Sequence, residues 1–445
     1  MQNDNNARPY LQCSTLLIAL CFQIMAHASE PLSGIHHALK QAVASGDVLS
    51  AHGTVLRGGQ VAEFGFGQLD PDDDAAPDGN SAFQIGSITK VFTNLLLAEM
   101  VARGKVGYDT TIAEILGNEI EFANPAIGRI TLLQLATHTS GLPRIPLNLL
   151  AVDLTDPYAG YDEQQLLAAL SQTRAGQPLG SHQAYSNFGA GLLGYLLGHV
   201  HGTDYQKALS ALVLEPLDLS STGMDPAGSA ASPWTDGAVV SAWSFDVLAG
   251  LGALWSTPSD LTRLAQAQLG TRAHELKQDL TANLDAVSSF APGLAVSRVW
   301  HIAETSKGPV YWHNGATNGN ASFFGVRPAT EEALIVLIAG ELDPTSSGLA
   351  WFGFSPSAAS QPETDEDIEG EYQLAPGVSI RIFSGNEGLL AQVSGQAPAA
   401  LTAVKDDWYA LDVADASLRF LREDNQAIAL VLHQGGFEQR AERIR

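Results

Sequence analysis

The chain has almost no cysteine. Of its 445 residues only Cys13 and Cys21 are cysteines, and both fall in the first thirty positions. The rest therefore forms no internal disulfide, no thiolate metal site and no cysteine nucleophile. Positive charge is also scarce. Lys and Arg total 23 against 48 Asp and Glu, for a formal net charge of −25. Such a balance argues against nucleic acid or an anionic membrane surface as a partner, since either needs a basic face. Past the first thirty residues no apolar run is long and clean enough to span a bilayer, so no membrane span is expected. Two signatures are missing as well. Without a Gly-x-Ser-x-Gly elbow an α/β-hydrolase is disfavoured, and there is no phosphate-binding loop.

The beginning of the chain reads as a leader. "CSTLLIALCFQIMAHA" is a short apolar stretch ending in Ala26-His27-Ala28, a small-x-small cleavage pattern. A signal peptide over residues 1–28 is expected, with a secreted or periplasmic destination. Leu20 precedes Cys21 where lipidation requires a small residue, so a lipid anchor is not.

Three pieces follow. Residues 29–354 mix helical and strand signals. "VLSAHGTVLRGGQVAEFGFGQLD" reads as a hairpin turning at Arg57-Gly58-Gly59, and "SITKVFTNLLLAEMVARGK" as a helix stopped by Gly104. "FGAGLLGYLLGHVHG" (188–202) is a second buried helix. Strands, then a helical block, then further strands indicate an α+β domain. Residues 355–369, rich in Ser, Pro and acidic residues, read as a linker. From 370 to 445, short alternating runs such as "VSIRI" and "IALVL" between Gly, Asn and Asp clusters indicate a small all-β sandwich or barrel.

Within "FQIGSITKVFT" Ser87 and Lys90 stand one helical turn apart. On a helix both lie on one face, so the lysine amine can reach the serine hydroxyl and strip its proton. Free N–H groups at the helix start favour the negative charge that develops there. Alone, Ser-x-x-Lys reads as a helix-capping serine followed by a surface lysine. Its company changes that reading. "AYSNFG" places Tyr185 and Asn187 just before the second helix, and "WHNGAT" places His313, Asn314 and Gly315 on a strand continued by "ASFFGV".

These motifs, in this order, resemble the serine β-lactamase and DD-peptidase superfamily, over roughly residues 40–350. The Tyr-x-Asn second motif is similar to that of the class C β-lactamase-related branch. The resemblance implies an antiparallel sheet flanked by helices with a helical subdomain, no cofactor and no metal. It makes Ser87 an acylated nucleophile, with Lys90 and Tyr185 sharing the acid–base work and either serving as principal base. It makes Asn187 a partner of the substrate amide. The N–H groups of Ser87 and Ala316 become an oxyanion hole. Gly315 is read as the position whose missing side chain lets substrate lie along the strand. The tail resembles the lipocalin-like domains appended to some relatives, where it helps shape the cleft.

One motif departs from the branch. Class C enzymes carry Lys-Thr-Gly where this chain has His313-Asn314-Gly315, the pattern of D-Ala-D-Ala carboxypeptidases and D-amino-acid peptidases. Lysine gives a substrate carboxylate a fixed charge; histidine gives one only when protonated. The departure leans toward a peptidase acting on peptides with D-amino acids. A class C-like β-lactamase and a short-chain esterase remain open, as does a penicillin-binding receptor with negligible turnover. Arg298 is a further cation able to pair with a carboxylate. His138, in His138-Thr139-Ser140-Gly141, reads as scaffold, and "LDPDDDAAPDGN" (69–80) as a solvated turn.

Overall fold

A computed structural model describes residues 34–354 and 367–444, apart from 147, 150–154, 174–179, 181–182, 279, 281–283, 292 and 341 in the first part and 376–377, 386–387, 394–398, 406, 412–415, 424–425 and 435–436 in the second. The expected leader, with both cysteines, and nearly all of the expected linker lie outside the described residues.

The centre of the first part is an eight-stranded antiparallel sheet. From edge to edge it runs Gln60–Gly67, Val48–Arg57, Glu332–Gly340, Asn320–Arg327, Val310–Thr317, His301–Ala303, Leu294–Val296, Ser288–Ala291. The first two form the expected hairpin, joined by Gly58-Gly59 with φ of +56° and +76°. Two successive positive φ angles suit the right-handed twist of the flanking strands, and glycine adopts them without a Cβ clash. The hairpin's second strand is the exposed edge, whereas all nine residues of Glu332–Gly340 are buried.

That burial follows from two covered faces. Ile335, Leu337 and Ala339 point into the core shared with the large helical block; Leu334, Val336 and Ile338 point into a smaller one. The smaller core is closed by a helix over 34–45, through Ile35 and Leu39, and by the segment 345–354, through Leu349 and Phe352. A strand that alternates between two dry faces reads in sequence as an unbroken apolar run.

Two helices of the block hold residues of the motifs. Thr89–Ala102 is buried at every position from Thr89 to Met100, which is why its apolar residues wrap the whole circumference. Its polar members are satisfied. Thr93 Oγ1 lies 2.7 Å from the Tyr205 hydroxyl, and Glu99 accepts from the Lys277 and Gln278 amides and from Arg103. The helix Asn187–His201 starts at the Ser186 cap, whose Oγ accepts from the Gly189 N–H at 2.9 Å. It packs backbone against backbone: a Cβ on Gly194 would fall 2.9 Å from the Cα of Gly250.

The last part is a closed barrel of eight antiparallel strands from Gly370–Ala375 to Phe437–Arg443, each paired with its neighbour in sequence. Closure comes from Tyr372 opposite Arg443 and Gln373 opposite Glu442. Tyr372, Ile380, Ile382, Leu418, Phe420, Leu430 and Ala441 fill its own core. Of the sandwich or barrel that the alternating runs left open it is the barrel, up-and-down as the resemblance to lipocalin-like tails implies, and closing it leaves no free strand edge.

Candidate active site

Ser87 lies in a tight turn, Gly86–Ile88, that runs straight into the helix Thr89–Ala102. Gly86 adopts φ +52°, and a Cβ there would fall 2.8 Å from both N and O of Ala316. From the opposite side, a Cβ on Gly315 would fall 2.1 Å from the Ile85 carbonyl and 2.9 Å from the Ser87 nitrogen. Two glycines thus let the strand Val310–Thr317 press onto the turn of Ser87 and bring the amides of Ser87 and Ala316 together. This alters the expected reason for Gly315. Its missing side chain first makes room for the turn's own backbone. Ser322, opposite Gly315 on the next strand, ties the contact by donating from Oγ to the Ile85 carbonyl at 2.9 Å.

Lys90 is 2 % exposed. Its Nζ donates to the Leu251 carbonyl at 2.7 Å and lies 3.0 Å from Ser87 Oγ. Burial, and secondarily the Arg144 guanidinium, holds its pKa well below the ordinary lysine value. Lowering the pKa of an amine in contact with a hydroxyl favours the form whose lone pair can take the hydroxyl proton.

Tyr185 completes the group. Its ring lies 4.9 Å from Lys90 Nζ and 4.4 Å, centroid to centroid, from the His138 ring. His138 grips the chain on both sides of the tyrosine: its carbonyl accepts from the Ala184 N–H at 2.8 Å and its Nδ1 from the Ser186 N–H at 3.2 Å. It does so from a left-handed backbone, φ +57°. The scaffold reading of His138 acquires a specific meaning here, since what it holds is Tyr185.

The third motif lies on Val310–Thr317. His313 is 3 % exposed, and its Nδ1–H donates to the Asn314 carbonyl at 2.6 Å. Burial, then His301 and Lys90, pushes its pKa well below that of a free imidazole. His313 is therefore uncharged near neutrality and supplies no cation to a carboxylate. Asn314 donates from Nδ2 to Thr345 Oγ1 at 2.8 Å. Asn187, the first residue of its helix, donates from Nδ2 to the Tyr158 hydroxyl at 3.2 Å, while its Oδ1 is buried and finds no partner. Tyr158 is stacked on Phe245 at 5.2 Å, with Trp243 edge-on at 5.9 Å.

Three residues of this neighbourhood escaped the sequence reading: His301, Arg144 and Tyr158. His301, on the strand beside the third motif, lies 4.7 Å from the His313 ring and 6.4 Å from the Tyr185 ring, and burial lowers its pKa to about 4. The guanidinium of Arg144 lies 5.4 Å from the centroid of the Tyr185 ring. The only signal for Arg144 was a rare cation in an acidic chain, just past the His138-Thr139-Ser140-Gly141 turn. Arg298, the cation that was singled out, instead lies over the Tyr108 ring at 5.4 Å.

A family model described as Beta-lactamase matches residues 35–352 of the chain, the span that holds all of these residues. The human "Putative beta-lactamase-like 1" is 27% identical over 337 residues, 71% of this chain and 66% of that protein. The "D-alanyl-D-alanine-carboxypeptidase/endopeptidase AmpH" of Escherichia coli is 27% identical over 229 residues, 49% of this chain and 56% of the relative. The chain thus spans between half and two thirds of the length of these curated relatives. Among solved structures, that of SurE with D-Leu superposes with a TM-score of 0.63 at 22% identity, covering 91% of this chain and 97% of the other. That likeness, which extends through the barrel, is one of fold.

Proposed function

The chain belongs to the beta-lactamase family and is a serine hydrolase of the Ser-x-x-Lys type, and on that footing we propose that it cleaves amide bonds in peptides containing D-amino acids through an acyl-enzyme on Ser87. One observation carries this reading: Nζ of Lys90, buried and with its pKa held well below the ordinary lysine value by that burial, rests 3.0 Å from Ser87 Oγ. Lys90, with Tyr185 beside it, takes the hydroxyl proton as Oγ bonds to the substrate carbonyl carbon. The oxygen that becomes negative is met by the amides of Ser87 and Ala316, gathered by the Gly86–Gly315 contact. As the C–N bond breaks, the same proton passes to the leaving amine through Tyr185. Water then attacks the ester and Ser87 is restored. Asn187 holds the substrate amide, and His313, Asn314 and Gly315 form the wall along which it lies.

The choice of a D-amino-acid peptide over a β-lactam rests on the third motif. A neutral His313 stands where class C enzymes carry a cationic lysine, and the similar AmpH bears a D-alanyl-D-alanine-carboxypeptidase name. The same proposal sets the enzyme outside the cytoplasm, on the strength of the apolar 1–28 segment. Its test is intact-protein mass spectrometry after brief exposure to a penicillin, beside turnover of D-alanyl peptides, with Ser87→Ala as control. A lasting adduct on Ser87 together with peptide release is expected. Rapid drug hydrolysis with inert peptides would replace the peptidase reading by a β-lactamase one.

A further inference from the structure

Arg144 is held over the ring of Tyr185. The Ser186 hydroxyl donates to the Pro143 carbonyl at 2.7 Å, and the Phe188 N–H donates to the Arg144 carbonyl at 3.0 Å. These bonds lock the Pro143-Arg144 turn onto the segment that carries Asn187. The guanidinium lies over Tyr185, and its field reaches Lys90, His138 and Tyr158.

The guanidinium is not spent on structure. Its Nη1 is buried and finds no hydrogen-bond partner, and none of the ion pairs among the described residues includes it. A buried donor left unpaired is costly, more so on a charged group, and the cost is relieved by an anion. On the segment those bonds hold against it is a second orphan of opposite kind, the acceptor Oδ1 of Asn187. A donor suited to an anion and an acceptor suited to an N–H, on two segments locked together, match a peptide unit that carries a carboxylate next to an amide.

Other basic side chains singled out in the sequence are placed differently. Lys90 is engaged by Ser87 and Leu251, His313 is buried against the Asn314 carbonyl, and Arg298 faces Tyr108. Guanidinium is also the group best shaped to take a carboxylate through two parallel hydrogen bonds.

From this placement we infer that Arg144 is the specificity residue for an anionic substrate, binding a carboxylate on the Asn187 side of the cleft while Asn187 Oδ1 accepts the neighbouring amide N–H. The inference rests on the serine-hydrolase reading for what the bound peptide then undergoes, but not for the binding itself.

The test uses competition against hydrolysis of a neutral chromogenic ester by the full-length protein. Two matched ligand pairs serve as probes: N-acetyl-D-alanyl-D-alanine with its C-terminal carboxamide, and an N-acetyl-D-glutamyl with an N-acetyl-D-glutaminyl D-alaninamide. One pair moves the carboxylate to the chain end, the other to the side chain. In the wild type the acid of at least one pair should inhibit roughly ten- to hundredfold more strongly than its neutral partner, the range for a charged hydrogen bond. In Arg144→Met that ratio should collapse toward one, and Arg144→Lys should restore part of it. Because the readout is a ratio within one protein, a general loss of activity in the variant cancels. Equal inhibition by acid and amide in the wild type, or a ratio that survives in Arg144→Met, overturns the inference. If the wild type leaves the ester intact, the catalytic reading fails by itself, and calorimetric titration of the same four peptides still decides whether Arg144 selects the acid.

Discussion

Lys90 is isolated from water, and its neutral form is the useful one. Replacing it by alanine should slow acylation by about two to four orders of magnitude, the usual worth of a positioned base, measured by penicillin adduct formation over time. With the amine intact, kcat/KM should fall as pH is lowered through the depressed Lys90 pKa and level off above it, since protonation removes the lone pair. Buried imidazoles add an acid limit on stability. His52 and His301 have pKa values lowered to about 4 from 6.5, chiefly by burial. Between those values the unfolded chain binds protons that the folded chain refuses, so stability should fall as pH drops from 6.5 toward 4. Thermal melts across that window check it; replacing the fully buried His52 by glutamine should flatten the slope, and an unchanged slope would refute the assignment. Single residues were also the hardest to read from sequence. Lys90 and Ser87 announce each other because they are three positions apart, whereas His301 and Arg144 enter the site through contacts with Tyr185 across more than one element. No local pattern encodes such a meeting.

Elements were more legible, because burial leaves a period. The helix Thr89–Ala102 was legible from its recurring apolar residues, whereas Glu332–Gly340, whose apolar run from Ala333 is the imprint of two dry faces, was not singled out. The hairpin was readable from Gly58-Gly59 alone. What periodicity does not encode is how closely two elements approach. Gly315 stood in the sequence as a place for substrate, yet its hydrogen faces the carbonyl of Ile85. Gly315→Ala should push the strand off the nucleophile turn, costing about 1–3 kcal/mol as an overpacking change and lowering kcat more than it raises KM. Denaturant melts and ester kinetics read the two effects separately; a variant with normal stability and rate would show that the contact does not hold the strand in place.

For the whole molecule, the catalytic unit and the barrel are built from separate stretches of chain. Residues below 355 fill the two cores around the catalytic sheet, and those from 368 onward fill the barrel. A chain ending near residue 360 should accordingly still fold and be acylated on Ser87, while losing discrimination among peptide substrates if the barrel takes part in the cleft; intact mass after penicillin and a peptide panel report the two properties. Loss of acylation itself would show that the units depend on each other. The alternating tail made a barrel or sandwich readable, but closure depends on residues 71 positions apart, Tyr372 and Arg443, which no short-range pattern joins.

The central strand pair joins Val48–Arg57 to Glu332–Gly340, so the catalytic sheet is sewn together from the two ends of its own unit. During synthesis, Ser87 and Lys90 emerge long before the strand that carries Ala316. A nascent chain accordingly holds a serine beside a lysine in water, with neither the dry surroundings that neutralise the amine nor the second amide of the oxyanion pocket. Activity arrives only when nearly the whole unit is out and its distant edges have met, and chains with such long-range pairing fold slowly. A partly made chain should accordingly be silent, with activity appearing only as folding is completed.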